Sequence, residues 1–186
     1  MKWYSGPYVE RLQKQLIELC TSKNFLGGQL YDIDELKECW SKSAPEYMVN
    51  AVPEIAKYPT VSIAWAMFYG MGAAKMWDTD WEKAKAVPDL YTHLRDVRGF
   101  DCMDEHILED ILELKNNPTR QQELTRLSQE CAELALSLIR KEGIAPQSVE
   151  AFQMFAKTTE LMFNIGVSVT LYALGYRYHK VDMNLN

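Results

Sequence analysis

SIAWAMFYGMGAAKMWDTDW, residues 62–81, is apolar on every side of a helix rather than along one stripe. That pattern belongs to a helix buried all round or to a membrane span. The uncharged run containing it extends from Tyr58 to Ala74, at the lower limit of a span, with Pro59, Thr60 and Ser62 at its start. A second uncharged run, Leu161 to Tyr176, contains Asn164, Ser168 and Thr170. Two short, interrupted runs in a chain of mean hydropathy −0.28 are expected to be central core helices, at about 60–77 and 147–178.

Small residues mark where these helices meet. Ala66, Gly70 and Ala74 recur every four positions, and Gly166 and Thr170 offer a shorter strip. Small side chains let two backbones approach, and a glycine inside a helix costs about 1 kcal/mol relative to alanine. The expectation is a helix crossing at Gly70 and Gly166. A phosphate-binding loop is excluded: Gly70-Met71-Gly72-Ala73-Ala74-Lys75-Met76 has no preceding strand, no glycine-lysine pair and no Ser or Thr after the lysine.

The remaining chain also reads as helical. Val9, Leu12, Leu16, Leu19 and Cys20 share one face of a helix from Pro7 to Lys23. Asp32 is placed as cap of a short helix through Trp40, and Pro45, Pro53 and Pro59 are expected to leave 41–59 irregular. Asp78 or Thr79 is expected to cap a helix beginning near Asp80. Pro88 and Gly99 divide the following region, and Asp101–Lys115 is amphipathic. Asn117-Pro118 starts a helix carrying the seam Leu124, Leu127, Cys131, Leu134 and Leu138, ended by Gly143. The expected fold is all-α: a single-domain bundle, 1–186, of about six to eight helices.

The net charge of −6 comes from 20 Lys and Arg against 26 Asp and Glu, with the basic residues scattered. Nucleic acid and anionic membranes reward basic patches and are not expected partners. The four cysteines, Cys20, Cys39, Cys102 and Cys131, form no C-x-x-C pair. They read as buried free thiols in a reducing compartment, and with no secretory segment the expected location is the cytoplasm.

Few constellations carry chemistry. The residues three before the histidines are Leu90, Met103 and Tyr176, so the Glu-x-x-His ligands of a dimetal bundle are missing. Cys102, His106, Glu109 and Glu113, with Asp110 beside them, lie on one helical face and include metal-ligand types. That face lies opposite the apolar one, so its primary reading is a solvated surface; a metal would need His93 or His179 from elsewhere. Trp65, Tyr69, Trp77 and Trp81 follow at helical distances, with Asp78 and Asp80 nearby. Aromatic walls and carboxylates suit a cationic or amphiphilic small molecule, and Trp65, Tyr69, Trp77, Asp78 and Trp81 are the candidate pocket. No catalytic residue and no cofactor is assigned. The sequence supports a non-catalytic module that binds protein, most simply itself as a homodimer, through the 124–138 seam or the uncharged 161–176 run. The alternative is a small-molecule- or metal-binding bundle, enzymes included, using the aromatic and acidic pocket.

Overall fold

The computed structural model describes residues 6–95 and 98–178. Among them are seven α-helices and no strand. They are α1 (Pro7–Ser22), α2 (Asp34–Ala51), α3 (Pro59–Lys85), α4 (Leu90–Arg95), α5 (Met103–His106), α6 (Pro118–Lys141) and α7 (Val149–Ala173). The all-α bundle read from the sequence is what forms, and no helix is long and apolar enough to cross a membrane among the described residues.

The two uncharged runs form the centre. Residues 62–74 of α3 are buried except Trp65, which is half-buried, and α7 buries nearly every residue from Met154 to Leu171. The helices run in the same direction: Met67 lies against Gly166, and farther along the Trp77 ring is 5.7 Å from Tyr176. At the crossing there is no room for a side chain. A Cβ placed on Gly70 would come 2.9 Å from the Phe163 carbonyl carbon and 3.0 Å from the Val167 nitrogen. One placed on Gly166 would come 2.8 Å from the Met67 carbonyl carbon. The contact is reciprocal, each glycine meeting the other helix's backbone, as the small-residue spacing predicts.

The outer helices wrap this pair. The Tyr8 hydroxyl of α1 is 2.7 Å from Thr158 Oγ1 of α7, which ties the first turn of α1 to the third turn of α7. α2 runs antiparallel to α3, with the Tyr69 hydroxyl 2.6 Å from Ser43 Oγ and the Tyr47 hydroxyl donating to the Ser62 carbonyl at 2.7 Å. Trp40, Tyr47, Tyr69, Tyr91 and Phe163 form a continuous aromatic layer with centroids 4.9–6.2 Å apart, in tilted and edge-on pairs. α6 lies antiparallel to α1, held by the Arg11–Glu142 and Lys23–Glu130 ion pairs.

Local signals place several helix ends. Pro7, Pro59 and Pro118 each stand at a first helical position, where the missing N–H costs nothing. The Asn117 side chain accepts from the Arg120 amide at 3.1 Å, and Gly143 takes a positive φ of 64° after α6. Other expectations fail. Segment 41–59 is not irregular as a whole: α2 continues through Pro45 to Ala51. The carbonyl that Pro45 leaves without its helical donor is that of Ser41, and both residues are exposed, so solvent replaces the lost bond. Asp32 does not cap α2. Its carboxylate pairs with Lys37, and Ile33 occupies the cap position.

The helix expected to reach Tyr178 stops at Ala173. Gly175, at φ 98°, closes a Schellman turn in which Tyr176 N donates to Leu171 O and Gly175 N donates to Tyr172 O, both at 3.1 Å. The 101–115 helix also ends early, at Ile111, after a π turn. Leu112 N donates to Ile107 O, and Glu113 turns left-handed at φ 59°. Ile111 and Leu114 are therefore only half-buried. α3 is longer than expected but breaks near the expected place. Asp80 is extended (φ −165°, ψ 88°), and its carboxylate, rather than Asp78 or Thr79, accepts from the Lys83 amide at 3.1 Å to start a second segment.

The crossing makes a discriminating prediction. Gly70→Ala and Gly166→Ala each drive a methyl into a backbone that cannot yield locally, and each is expected to cost about 3 kcal/mol in denaturant unfolding. Gly72→Ala meets only the side-chain ends of Leu94 and Ile107, at 3.3–3.4 Å, and is expected to stay within about 1 kcal/mol of wild type. Equal losses at all three glycines would overturn the crossing as the tight point.

Candidate functional site

A groove of about 920 Å³ opens between α2 on one side and the second segment of α3 with the turn into α4 on the other. α2 contributes Glu35, Glu38, Cys39, Lys42, Ser43 and Glu46 at helical spacing. Trp81, Glu82 and Lys85 come from α3 after its break, and Pro88, Asp89 and Leu90 from the entry to α4. Tyr69 reaches the groove from the core.

Tyr69 is fully buried, and its hydroxyl is held 2.6 Å from Ser43 Oγ and 3.1 Å from the Cys39 sulfur. Ser43 in turn donates to the Cys39 carbonyl. Burial pushes the Tyr69 phenol well above its ordinary value. Burial also pushes the Cys39 thiol up, against the opposing hydrogen bond from Tyr69. Both groups are therefore neutral at physiological pH, and Cys39 lacks the lowered pKa of an activated nucleophile.

The charged rim is different. The groove carries Glu35, Glu38, Glu46, Glu82 and Asp89 against Lys42 and Lys85. Lys42 pairs with Glu38 and Lys85 with Glu82, both at 2.8 Å, which leaves Glu35, Glu46 and Asp89. Glu46 and Asp89 meet at Thr92. Its hydroxyl is 2.6 Å from Asp89 Oδ2 and 3.1 Å from Glu46 Oε1, while its amide donates to Asp89 Oδ1 at 3.0 Å. One hydroxyl carries one proton and cannot donate to both carboxylates. The Asp89 carboxylate beside it, with burial, raises the Glu46 carboxyl above the ordinary glutamate range. Burial pushes the Asp89 carboxyl up, but hydrogen bonds from Glu46 and Thr92 outweigh it and hold Asp89 low. The pair thus keeps a proton on Glu46 to higher pH than an isolated glutamate would.

Behind the pair lies a cationic and amide layer. Arg95 Nη1 is 3.6 Å from Glu46 Oε1 and donates to Asn50 Oδ1 at 2.7 Å. The Tyr91 hydroxyl donates to the same Asn50 oxygen at 2.6 Å, and the Arg95 guanidinium lies 5.4 Å from the Tyr91 ring centroid.

Of the five residues expected to line one pocket, the structure brings together Tyr69 and Trp81 at this groove. Trp65 points elsewhere, donating from Nε1 to the Phe100 carbonyl at 2.7 Å. Trp77 packs on Tyr176, whose hydroxyl donates to Asp78 at 2.6 Å, so these two belong to the end of α7. Glu46 lay in the stretch read as irregular. Asp89 was visible only as an Asp before a short helix with Thr92 three residues on, a capping pattern.

The second candidate, His106 with Glu109 and Glu113, does not converge. His106 Nδ1 is 2.9 Å from Asp110 Oδ2, and Arg98 Nη2 donates to the same oxygen at 2.9 Å. The His106 bond and the Arg98 charge hold the Asp110 carboxyl below its usual range. The left-handed turn at Glu113 carries its carboxylate toward Lys75, 3.8 Å away. Among the described residues no three His, Cys, Asp or Glu side chains are grouped to hold a metal ion, and His179 lies outside those residues.

Comparison of the chain with protein-family models, with curated proteins and with solved structures finds no match.

The carboxylate pair gives a pH prediction with a definite sign. Glu46 binds its proton more tightly folded than unfolded, so its contribution is present at low pH and is lost as pH rises through the folded value. Asp89 acts oppositely, its contribution fading as pH falls below the aspartate range. Glu46→Gln removes the first dependence and keeps a group able to donate to Asp89. Its denaturant midpoint should gain on wild type as pH rises above the glutamate range. Parallel pH curves for the two proteins would exclude the shared proton.

Proposed function

We propose that this chain is a binding protein whose α2–α3–α4 groove takes a small cationic molecule, an amine or a quaternary ammonium. The observation that carries the reading is the juxtaposition of Glu46 and Asp89 at an open groove flanked by an aromatic side chain. A cation seated there favours the ionised form of Glu46, neutralises a repulsive pair and shares the groove with Trp81. The buried Tyr69, Ser43 and Cys39 set a rigid, neutral floor that gives shape rather than charge. Binding without chemistry is favoured because no activated nucleophile stands at the groove, where the one thiol is held up by burial.

Protein–protein contact is retained as a second reading, with the exposed apolar side chains rather than the buried parts of the first-named faces as its surface. Leu124, Leu127, Cys131 and Leu138 are buried inside the chain and Leu134 is half-buried; α7 is buried from Leu161 to Leu171 apart from a half-buried Asn164, while Leu174 (39%) and Tyr176 (38%) at the end of the uncharged run are exposed. What favours the reading now is the exposure of Val49 (70%), Tyr58 (58%), Val149 (65%) and Phe152 (50%).

The test is a thermal titration with putrescine and choline as cationic probes and acetate as the anionic control. A saturable rise in Tm with one of the cations, stronger at neutral pH than at pH 5 and abolished in Glu46→Gln/Asp89→Asn, is expected. Equal, non-saturating shifts with cations and acetate would sink the groove as a cation site. A concentration-dependent mass in sedimentation, reduced by Val49→Lys or Phe152→Lys, would instead support self-association.

A further inference from the structure

The cysteines at positions 20 and 131, which the sequence places 111 residues apart, meet in the core. Cys20 sits in the last turn of α1 and Cys131 midway along α6. Their sulfurs are 3.8 Å apart, and both residues are fully buried. The helices carrying them are antiparallel and fixed in register on both sides of the pair. The Arg11–Glu142 ion pair lies toward one end, and Lys23–Glu130, at 2.9 Å, lies one turn beyond the sulfurs. A disulfide bond is about 2.05 Å long, so closure asks each sulfur to move by about 0.9 Å. No other thiol competes at this place: Cys39 lies against Tyr69, and Cys102 lies at the start of α5.

We propose that Cys20 and Cys131 are a covalent modification site, a dithiol that a low-molecular-weight disulfide converts into an intramolecular bond fastening α1 to α6. The exchange balances in two steps. One thiolate, formed by loss of its proton to water, attacks the small disulfide, making a mixed disulfide and releasing one small thiolate. The second cysteine, likewise deprotonated, attacks the protein sulfur of that mixed disulfide. The Sγ–Sγ bond forms, the second small thiolate leaves, and the two protons end on the released thiols. The two electrons lost by the protein reduce the small disulfide.

The closed fold sets the rate. Contact with Cys20 and burial keep the Cys131 thiol well above its ordinary value, and both sulfurs are shut off from solvent while α1 stays packed. Cys20 lies at the turn that ends α1, where Asn24 is left-handed (φ 65°) and the Phe25 amide donates to the Cys20 carbonyl at 2.8 Å, so release of this turn is a short route to its sulfur. The bond, once formed, closes a loop of more than a hundred residues and restricts the unfolded chain accordingly.

The full chain, incubated with oxidised glutathione and then alkylated under denaturing conditions, should show two alkylated cysteines in place of four. Peptide mapping should find Cys20 joined to Cys131, and Tm should rise on the order of 10 °C and return on reduction. Cys20→Ser should abolish the crosslink. Should that variant fail to fold, Cys39→Ser/Cys102→Ser, which retains only the proposed pair, must still form it. Four alkylated thiols after prolonged oxidation, stable glutathione adducts in place of the crosslink, or a crosslink that leaves Tm unchanged or lower would each overturn the proposal.

Discussion

Two helix backbones touching at Gly70 and Gly166 fix the arrangement of the rest of the bundle. Each glycine costs about 1 kcal/mol of helix propensity relative to alanine. What offsets this is the approach itself. With no Cβ between them, α3 and α7 come close enough for side chains beside the crossing to interdigitate, and many atom pairs then reach contact distance at once. Phe163, whose carbonyl faces Gly70, projects its ring onto Trp40 and Tyr69. α2 is thus seated by the same turn of α7 that makes the crossing. Where the central pair is covered on all sides, at 66–74 of α3 and 165–171 of α7, neither helix has a polar stripe. Its buried hydroxyls are satisfied by backbone carbonyls, Ser62 by Ala51 at the end of α2 and Thr158 by Met154 one turn back in α7.

Features encoded within one helix were legible in the sequence. The four-residue spacing of Ala66, Gly70 and Ala74 predicts a close partner, and the partner is the one other helix with a matching gap. Asn117-Pro118, Pro7 and Gly143 act through bonds spanning three or four residues, which a local reading captures. Errors arose where a local rule met a tertiary answer. Pro45 breaks a helix only if the freed carbonyl must be buried, and on α2 it faces water. The uncharged run 161–176 suggests one continuous helix, but Gly175 offers a left-handed residue just where burial ends.

The groove was harder to read because no single element contains it. Its walls come from α2, from the part of α3 beyond Asp80, and from the entry to α4, with Tyr69 at the bottom. Trp65, Tyr69, Trp77, Asp78 and Trp81 stand at helical distances in the sequence, on either side of the place where a new helix is expected near Asp80. The break at Asp80 redirects the chain, so Trp81 follows the second segment while Trp77 and Asp78 stay with the first and face Tyr176. The Cys20–Cys131 contact was invisible for the same reason: each cysteine is an ordinary core position on its own helix, and only the antiparallel register of α1 and α6 brings them together.

Folding alone does not require the pairing of Glu46 with Asp89. Asp89 has a structural role, since its carboxylate satisfies the Thr92 amide at the start of α4. Glu46 has no comparable one. It occupies an outward position of α2, and its nearest cation, Arg95 at 3.6 Å, is already engaged by Asn50 at 2.7 Å. A glutamine there would keep a hydrogen bond to Asp89 without the repulsion. A second acid raised above its ordinary range is a cost that the fold carries at a groove mouth, beside an aromatic wall and a floor of neutral, fully bonded groups. That acidic pair, offset by Arg95 only at 3.6 Å from Glu46 and placed where solvent reaches it, is the feature on which the proposed cation site rests.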